Sequence, residues 1–222
     1  MRINKYVALA SGLSRRAVDK AIAAGRITIN GQLAKLGQEI VATDTVRLDR
    51  EILHTPLETT TIMLNKPSGY VVSLEGQGSQ TIYMLLPTEL HSLKPIGRLD
   101  KDSSGLLLLT NDGNLAHELT HPSFRKTKVY EVELDKPLTP LHHQMIHDIG
   151  ITLEDGVSIL QLEKLSNTGT SWRVTMHEGR NRQIRRTFDA LGYDVSRLHR
   201  IRFGKYDLGK LELGTYEKVL TP

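Results

Sequence analysis

Apolar and polar positions alternate along this chain with two periods, and the switches between them mark out the elements. Residues 2–10 carry apolar positions at helical spacing. Ser14 stands where a second helix needs an N-cap, with Arg15 and Arg16 in its first turn and Gly25 just past its end. From Arg26 to Asn30 the period falls to two, as in a half-buried strand. Asn30-Gly31 is a strong hairpin signal, and 46–48 reads as a closing strand. Residues 1–50 therefore predict a small helix–helix–hairpin–strand unit. Residues 51–60 are polar, hold a proline and have no period, and read as a linker.

Strands and helices intersperse beyond that point. Residues 61–64 predict a strand, followed by a turn at Lys66-Pro67-Ser68-Gly69. Residues 105–110 form a short, almost wholly apolar run, the mark of a strand buried on both faces. Residues 129–134 and 172–176 alternate. Thr139-Pro140 is an N-cap followed by proline at the first helical position, with Gly150 as the stop. Residues 181–191 read as a helix ended by Gly192. No internal repeat and no regular βαβ period is found, so the fold class is α+β, with residues 61–222 as a second domain.

Composition narrows this reading. The 222 residues are 39% hydrophobic, enough for packed cores. No apolar run reaches membrane-spanning length, and the N-terminal pattern is not that of a signal peptide. With no cysteine, disulfides, thiolate metal sites and cysteine nucleophiles are excluded, and a cytoplasmic location is expected. The net charge of +4 is mild, but its distribution is uneven. Nine Lys/Arg against four Asp/Glu give residues 1–50 a net +5. Residues 51–170 carry nine against fifteen, a net −6, and residues 171–222 carry eleven against six, a net +5. Two basic segments around an acidic middle suit a polyanion, although solvated surface charge has the same signature.

Four clusters are candidates for chemistry. In GRLDKDSSGLLLLTNDG, residues 97–113, an aspartate sits in a glycine-bounded loop that feeds a rigid apolar strand. Such a strand can fix a reactive carboxylate, but aspartates also shape and cap loops, and spacing alone favours that role. In EGRNRQIRRTF, residues 178–188, a helical wheel puts Ile184, Phe188 and Leu191 on one buried stripe. Arg185 lies at the stripe's edge, where it can reach a carboxylate in a cleft, while Arg182 and Arg186 face solvent or a ligand. His117-Glu118-Leu119-Thr120-His121 has the zinc-peptidase spacing, but Pro122 disfavours helical geometry at His121, so no metal site is expected. Asp100 with Asp102 has D-x-D spacing for a divalent cation, yet only Asp112 stands near as a third carboxylate.

Taken together, KPSGYVVS (66–73), residues 97–113, KTKVYEVEL (126–134) and EGRNRQIRRTF resemble, in that order, the ribosomal pseudouridine synthases of the small-subunit type. Residues 2–48 resemble the S-four-type RNA-binding domain that precedes their catalytic domain. The resemblance implies a mixed, largely antiparallel sheet flanked by helices and loops, and conversion of a ribosomal RNA uridine to pseudouridine without cofactor or metal. It implies Asp100 as the essential aspartate, Arg98 beside the extruded nucleotide, and Tyr130 stacked on the target base. Arg185 would form an ion pair with Asp100, and Ile184 and Leu198 would line the pocket. Lys66 and Pro67 match a mainly structural motif on the substrate side, and Asp102 a frequent second acidic residue. Arg182, with Arg2, Lys5, Arg15 and Arg16 of the first unit, are the further RNA-facing candidates. A monomer is expected, acting on ribosomal RNA, large-subunit in preference to small-subunit, or on a ribosome assembly intermediate. The rival readings are a non-catalytic RNA-binding or assembly factor on the same scaffold and a metal-dependent hydrolase.

Overall fold

The computed structural model describes residues 1–54 and 59–219. Its chain divides into two units, Met1–Thr59 and Thr60–Pro222. In the first, α1 (Ile3–Ser11) and α2 (Arg15–Ala23) are followed by β1 (Ile27–Ile29), β2 (Gln32–Leu33), β3 (Val46–Leu48) and β4 (Glu51–Ile52). The Ser14 side chain accepts the Ala17 amide, as an N-cap does. Asn30 and Gly31 both have positive φ, which a two-residue type I′ turn requires, and Ile29 pairs with Gln32 across it. Ile3, Val7, Val18, Ile22 and Ile27 close the core of this unit.

The expected linker at 51–60 departs from the reading. Glu51 and Ile52 pair with β3, Leu53 packs on the first core, and its carbonyl accepts the Tyr6 hydroxyl. These local contacts hold the chain extended where composition alone shows no period. Residues 55–58 of that stretch lie outside the described residues.

In the second unit β5 (Thr61–Lys66), β6 (Lys94–Ile96) and β7 (Ser104–Thr110) precede α3 (Gly113–Thr120) and β8 (Lys128–Leu134). Helix α4 (Pro140–Gln144) runs into a wider turn at Met145–Ile149. There follow β9 (Ile151–Leu153), β10 (Gly156–Ser158), β11 (Gln161–Lys164), β12 (Ser171–Met176), α5 (Gln183–Asp189), β13 (Val195–Phe203), β14 (Tyr206–Asp207) and β15 (Tyr216–Lys218). The main sheet has the order β11-β12-β8-β13-β7-β5-β15, with β14 on β13 and β6 on β7. Its pairs are antiparallel except β13 with β7. This is the mixed, largely antiparallel α+β architecture expected from the sequence.

Strand β7 explains its own apolar run. Leu107 and Leu109 enter one core with Phe188 and Trp172, while Leu106 and Leu108 enter another with Leu115 and Phe203. Both faces are thus covered, by α5 on one side and α3 on the other. Gly105 makes the parallel junction possible: its φ is 104°, and a Cβ there would lie 2.3 Å from the Arg200 carbonyl oxygen. No helix among the described residues is long and apolar enough to cross a membrane.

Candidate active site

A cavity of about 340 Å³ opens where the loop before β7, the start of α5 and strands β8 and β13 converge. Arg98, Asp100, Tyr130, Arg182, Ile184 and Leu198 all line it, although up to 100 positions separate them in sequence. Each is set in place by its element. Register pairs Arg200 with Tyr130 and Leu198 with Val132, so Tyr130, Leu198 and Arg200 share a face of the sheet. Ile184 comes from the first turn of α5. Tyr130, Ile184 and Leu198 are buried and apolar toward the cavity, while Arg98 stands exposed at its rim.

Asp100 is held from behind by Lys66. This lysine is fully buried, and its Nζ donates to the carbonyls of Pro67 at 3.0 Å, Asp100 at 3.1 Å and Ser103 at 2.6 Å. Burial pulls its pKa down to about 8, against the attraction of Asp100 and Asp102 and with the repulsion of Arg200. Counted on the substrate side from the sequence, Lys66 has no surface for RNA: it fixes the backbone that carries Asp100.

The ion pairing differs from the expected one. Arg185 does not reach Asp100 within ion-pair distance; its Nε is 3.3 Å from Asp102, and its guanidinium donates to the carbonyls of Asp102 and Val195. The cation beside Asp100 is Arg182, at 3.6 Å. Arg182 also grips Asp102 with two 3.0 Å hydrogen bonds. The physical reason lies in the helix start. The pattern predicts a helix from 181, but Arg182 has φ 46° in the left-handed region and α5 begins at Gln183. Arg182 thus reaches the aspartate loop, with its side chain still 42% exposed. Its hydrogen bonds hold the Asp102 carboxyl below the usual carboxylate range. Asp102 therefore acts as the bridge between two arginines.

Further residues of the cavity escaped the sequence reading. Lys128, Arg200, Ser103 and Phe203 also line it. A period of two was the available signal: Lys128 is two residues before Tyr130, and Arg200 two after Leu198. Burial and the nearby Arg200 charge push the Lys128 ammonium down to about 8. Of the first-unit candidates, Arg2, Arg15 and Arg16 are exposed, whereas Lys5 is half-buried.

The zinc-like histidines are not set on one helix. His121 lies past the end of α3 with extended backbone, and its Nδ1 is 2.7 Å from Ser123 Oγ. Among the described residues no three His, Cys, Asp or Glu side chains are grouped to hold a metal.

The chain thus combines a mixed sheet, with a charged cavity at its one parallel junction, and a separate small helix–helix–hairpin unit. Residues 60–190 match the family model for RNA pseudouridylate synthase, and residues 1–46 match that of the S4 domain. A ribosomal small subunit pseudouridine synthase A of Yersinia pestis is 35% identical, over 100% of this chain and 95% of that protein. A ribosomal large subunit pseudouridine synthase B of Xylella fastidiosa is 38% identical over 91% of this chain, which spans only 45% of that longer protein. A crystal structure of a pseudouridylate synthase superposes with a TM-score of 0.71 at 34% identity, over 99% of this chain and 96% of the other. The chain belongs to the RNA pseudouridylate synthase family, with an S4 domain ahead of the catalytic domain.

Proposed function

We propose that the protein isomerises one uridine of ribosomal RNA to pseudouridine, with Asp100 as the reacting carboxylate. The observation that carries this reading is the setting of Asp100: anchored through its carbonyl by buried Lys66, 3.6 Å from Arg182, and opening on the same cavity as Tyr130 and Leu198. The target base must leave its stack to be reached. Tyr130 offers a ring face that offsets part of the lost stacking. Arg182 sets a positive charge 3.6 Å from the Asp100 carboxylate. Arg98 at the rim meets the extruded nucleotide. The bond from uracil N1 to ribose C1′ is replaced by one from C5, with no net redox change, so the reaction calls for no cofactor.

The first unit adds phosphate contacts through Arg2, Arg15 and Arg16. The substrate class rests on the relatives, which are named for both ribosomal subunits. The match along nearly the whole Yersinia protein supports the small-subunit-type domain plan. The higher identity to the Xylella protein supports a large-subunit uridine as the target. The protein acts as a cytoplasmic monomer in this reading.

Pseudouridine mapping of ribosomal RNA from cells with and without the protein tests the substrate. Asp100→Asn is expected to bind the RNA normally and form no pseudouridine. Turnover retained by Asp100→Asn in a tritium-release assay would remove Asp100 from the chemistry.

A further inference from the structure

Two fully buried residues of the cavity lining each carry a polar atom without a hydrogen-bond partner among the described residues. Arg200 is 2% exposed. Its Nε donates to the Leu106 carbonyl at 2.8 Å, and its guanidinium lies 4.9 Å over the Phe203 ring, but its Nη2 has no hydrogen-bond partner among the described residues. No carboxylate among them lies within ion-pair distance of it. Ser103 is 1% exposed, and its Oγ is likewise unpartnered. Both residues line the cavity with Asp100 and Tyr130. A buried guanidinium without a counter-charge is costly, and an unmade buried hydrogen bond costs about 1–3 kcal/mol. Such an arrangement suits a site whose missing partner arrives with the ligand.

Register identifies which part of the ligand that is. Arg200 faces Tyr130 across the β13–β8 pair, and both line the cavity in which the base is proposed to stack. Arg200 and Ser103 are deep, whereas Arg98 is exposed at the rim, where the sugar–phosphate chain must remain. Resting on the functional reading above, we infer that Arg200 and Ser103 bind the carbonyl edge of the target uracil, and that Arg200 stabilises the negative charge the ring acquires during isomerisation.

The electron count requires such a charge. When N1–C1′ breaks, the bonding pair stays with the ring and spreads over N1 and the two carbonyl oxygens. Meanwhile C1′ is held either by a bond from an Asp100 oxygen or as the alkene left when Asp100 takes the C2′ proton. Bond formation from C5 to C1′ consumes the ring's charge and returns Asp100 to its starting state. The C5 proton then leaves and N1 takes one up. On either path a preorganised cation at a carbonyl oxygen matters most while the bond is breaking.

The test uses the full chain in excess over ribosomal RNA transcript labelled with tritium at uridine C5. Arg200→Met is expected to lower the saturating single-turnover rate about a hundredfold or more. RNA Kd should stay within about threefold and its salt dependence unchanged, and Arg200→Lys should recover part of the rate. Ser103→Ala should lose about tenfold in rate with the same affinity. Should Arg200→Met fail to fold, Arg200→Gln, whose amide can still donate to Leu106, is read by the same split. A weaker Kd with a salt slope lower by about one, at unchanged saturating rate, would mean a phosphate contact and overturn the inference. An unimpaired rate in both Arg200 variants would reduce Arg200 to cavity wall. Failure of the parent chain to release tritium overturns the functional reading and this one with it, whereas release by the parent with Arg200→Met unimpaired overturns this one alone.

Discussion

Lys66→Met is the substitution that tests most directly how the site is held. In the parent, one fully buried ammonium donates to three carbonyls, those of Pro67, Asp100 and Ser103. Hydrogen bonds from a charged donor contribute about 1.5–3 kcal/mol each, so removing the donor costs roughly 5–9 kcal/mol. Against this stands the cost of burying the charge. A pKa near 8 in place of 10.5 corresponds to about 3 kcal/mol at neutral pH, which methionine recovers. The net loss is therefore about 3 kcal/mol, within a range of roughly 1–6. For a domain of this size that lowers the melting temperature by about 6–12 °C. The pH dependence isolates the lysine itself. Its folded-state pKa lies below the unfolded one, so the unfolded chain binds more protons between about pH 8 and 10.5 and stability rises across that window. Between pH 7.5 and 9.5 Lys66 should contribute a rise of about 2 kcal/mol in urea-unfolding free energy. Lys128 changes stability in the same direction. Lys66→Met should keep only the Lys128 share of that rise. It should also lose most of its single-turnover rate, because the Asp100 backbone is no longer fixed. A melting temperature within 2 °C of the parent with an unchanged rate and the full pH rise would refute the anchoring argument.

Three further outcomes follow from the same geometry. Asp102→Asn removes the shared partner of Arg182 and Arg185. The parent's Asp102 carboxyl is held low chiefly by the Arg182 hydrogen bonds. That stabilisation is present above the unfolded value near 3.8 and lost as pH falls through the lower folded value, so acid denaturation curves of parent and variant should converge at low pH. Gly105→Ala places a Cβ 2.3 Å from the Arg200 carbonyl at a φ of 104°; it should lose at least about 3 kcal/mol in chemical denaturation, through strain and displaced β13. Arg15→Glu with Arg16→Glu changes two exposed side chains and should leave the melting temperature within 2 °C. The slope of log affinity for ribosomal RNA against log salt should fall by about 1–2.

How much was legible in the sequence depends on whether a feature is local. The first unit was readable because each of its signals acts within a few residues: the Ser14 cap, the Asn30-Gly31 turn and the two-residue period of β1. The run in β7 was readable because burial on both faces leaves no room for polar alternation. The parallel pairing of β7 with β13 was not, since it joins residues some 95 apart in sequence and depends on one glycine's missing side chain. The same limit governs the site. Motif resemblance brought Asp100, Tyr130, Ile184 and Leu198 to attention, and all four line one cavity.

The arginine partner was misassigned for a reason that periodicity cannot show. A wheel drawn from residue 181 assumes helical backbone at Arg182, and a single left-handed residue there turns its guanidinium about to Asp100 and Asp102. Lys66 was named in a mainly structural motif, but its burial was hidden. A lysine ending a strand ordinarily reads as a solvated edge, yet here Thr61 to Lys66 are all buried. What keeps the charge inside is a loop of carbonyls contributed by residues 67, 100 and 103. The acidic sign of the middle segment then takes on a local meaning. Most of its carboxylates are surface groups, but Asp100 and Asp102 sit where buried Lys66 and the arginines of the last segment converge, so the opposed charges of the two segments meet at the cavity.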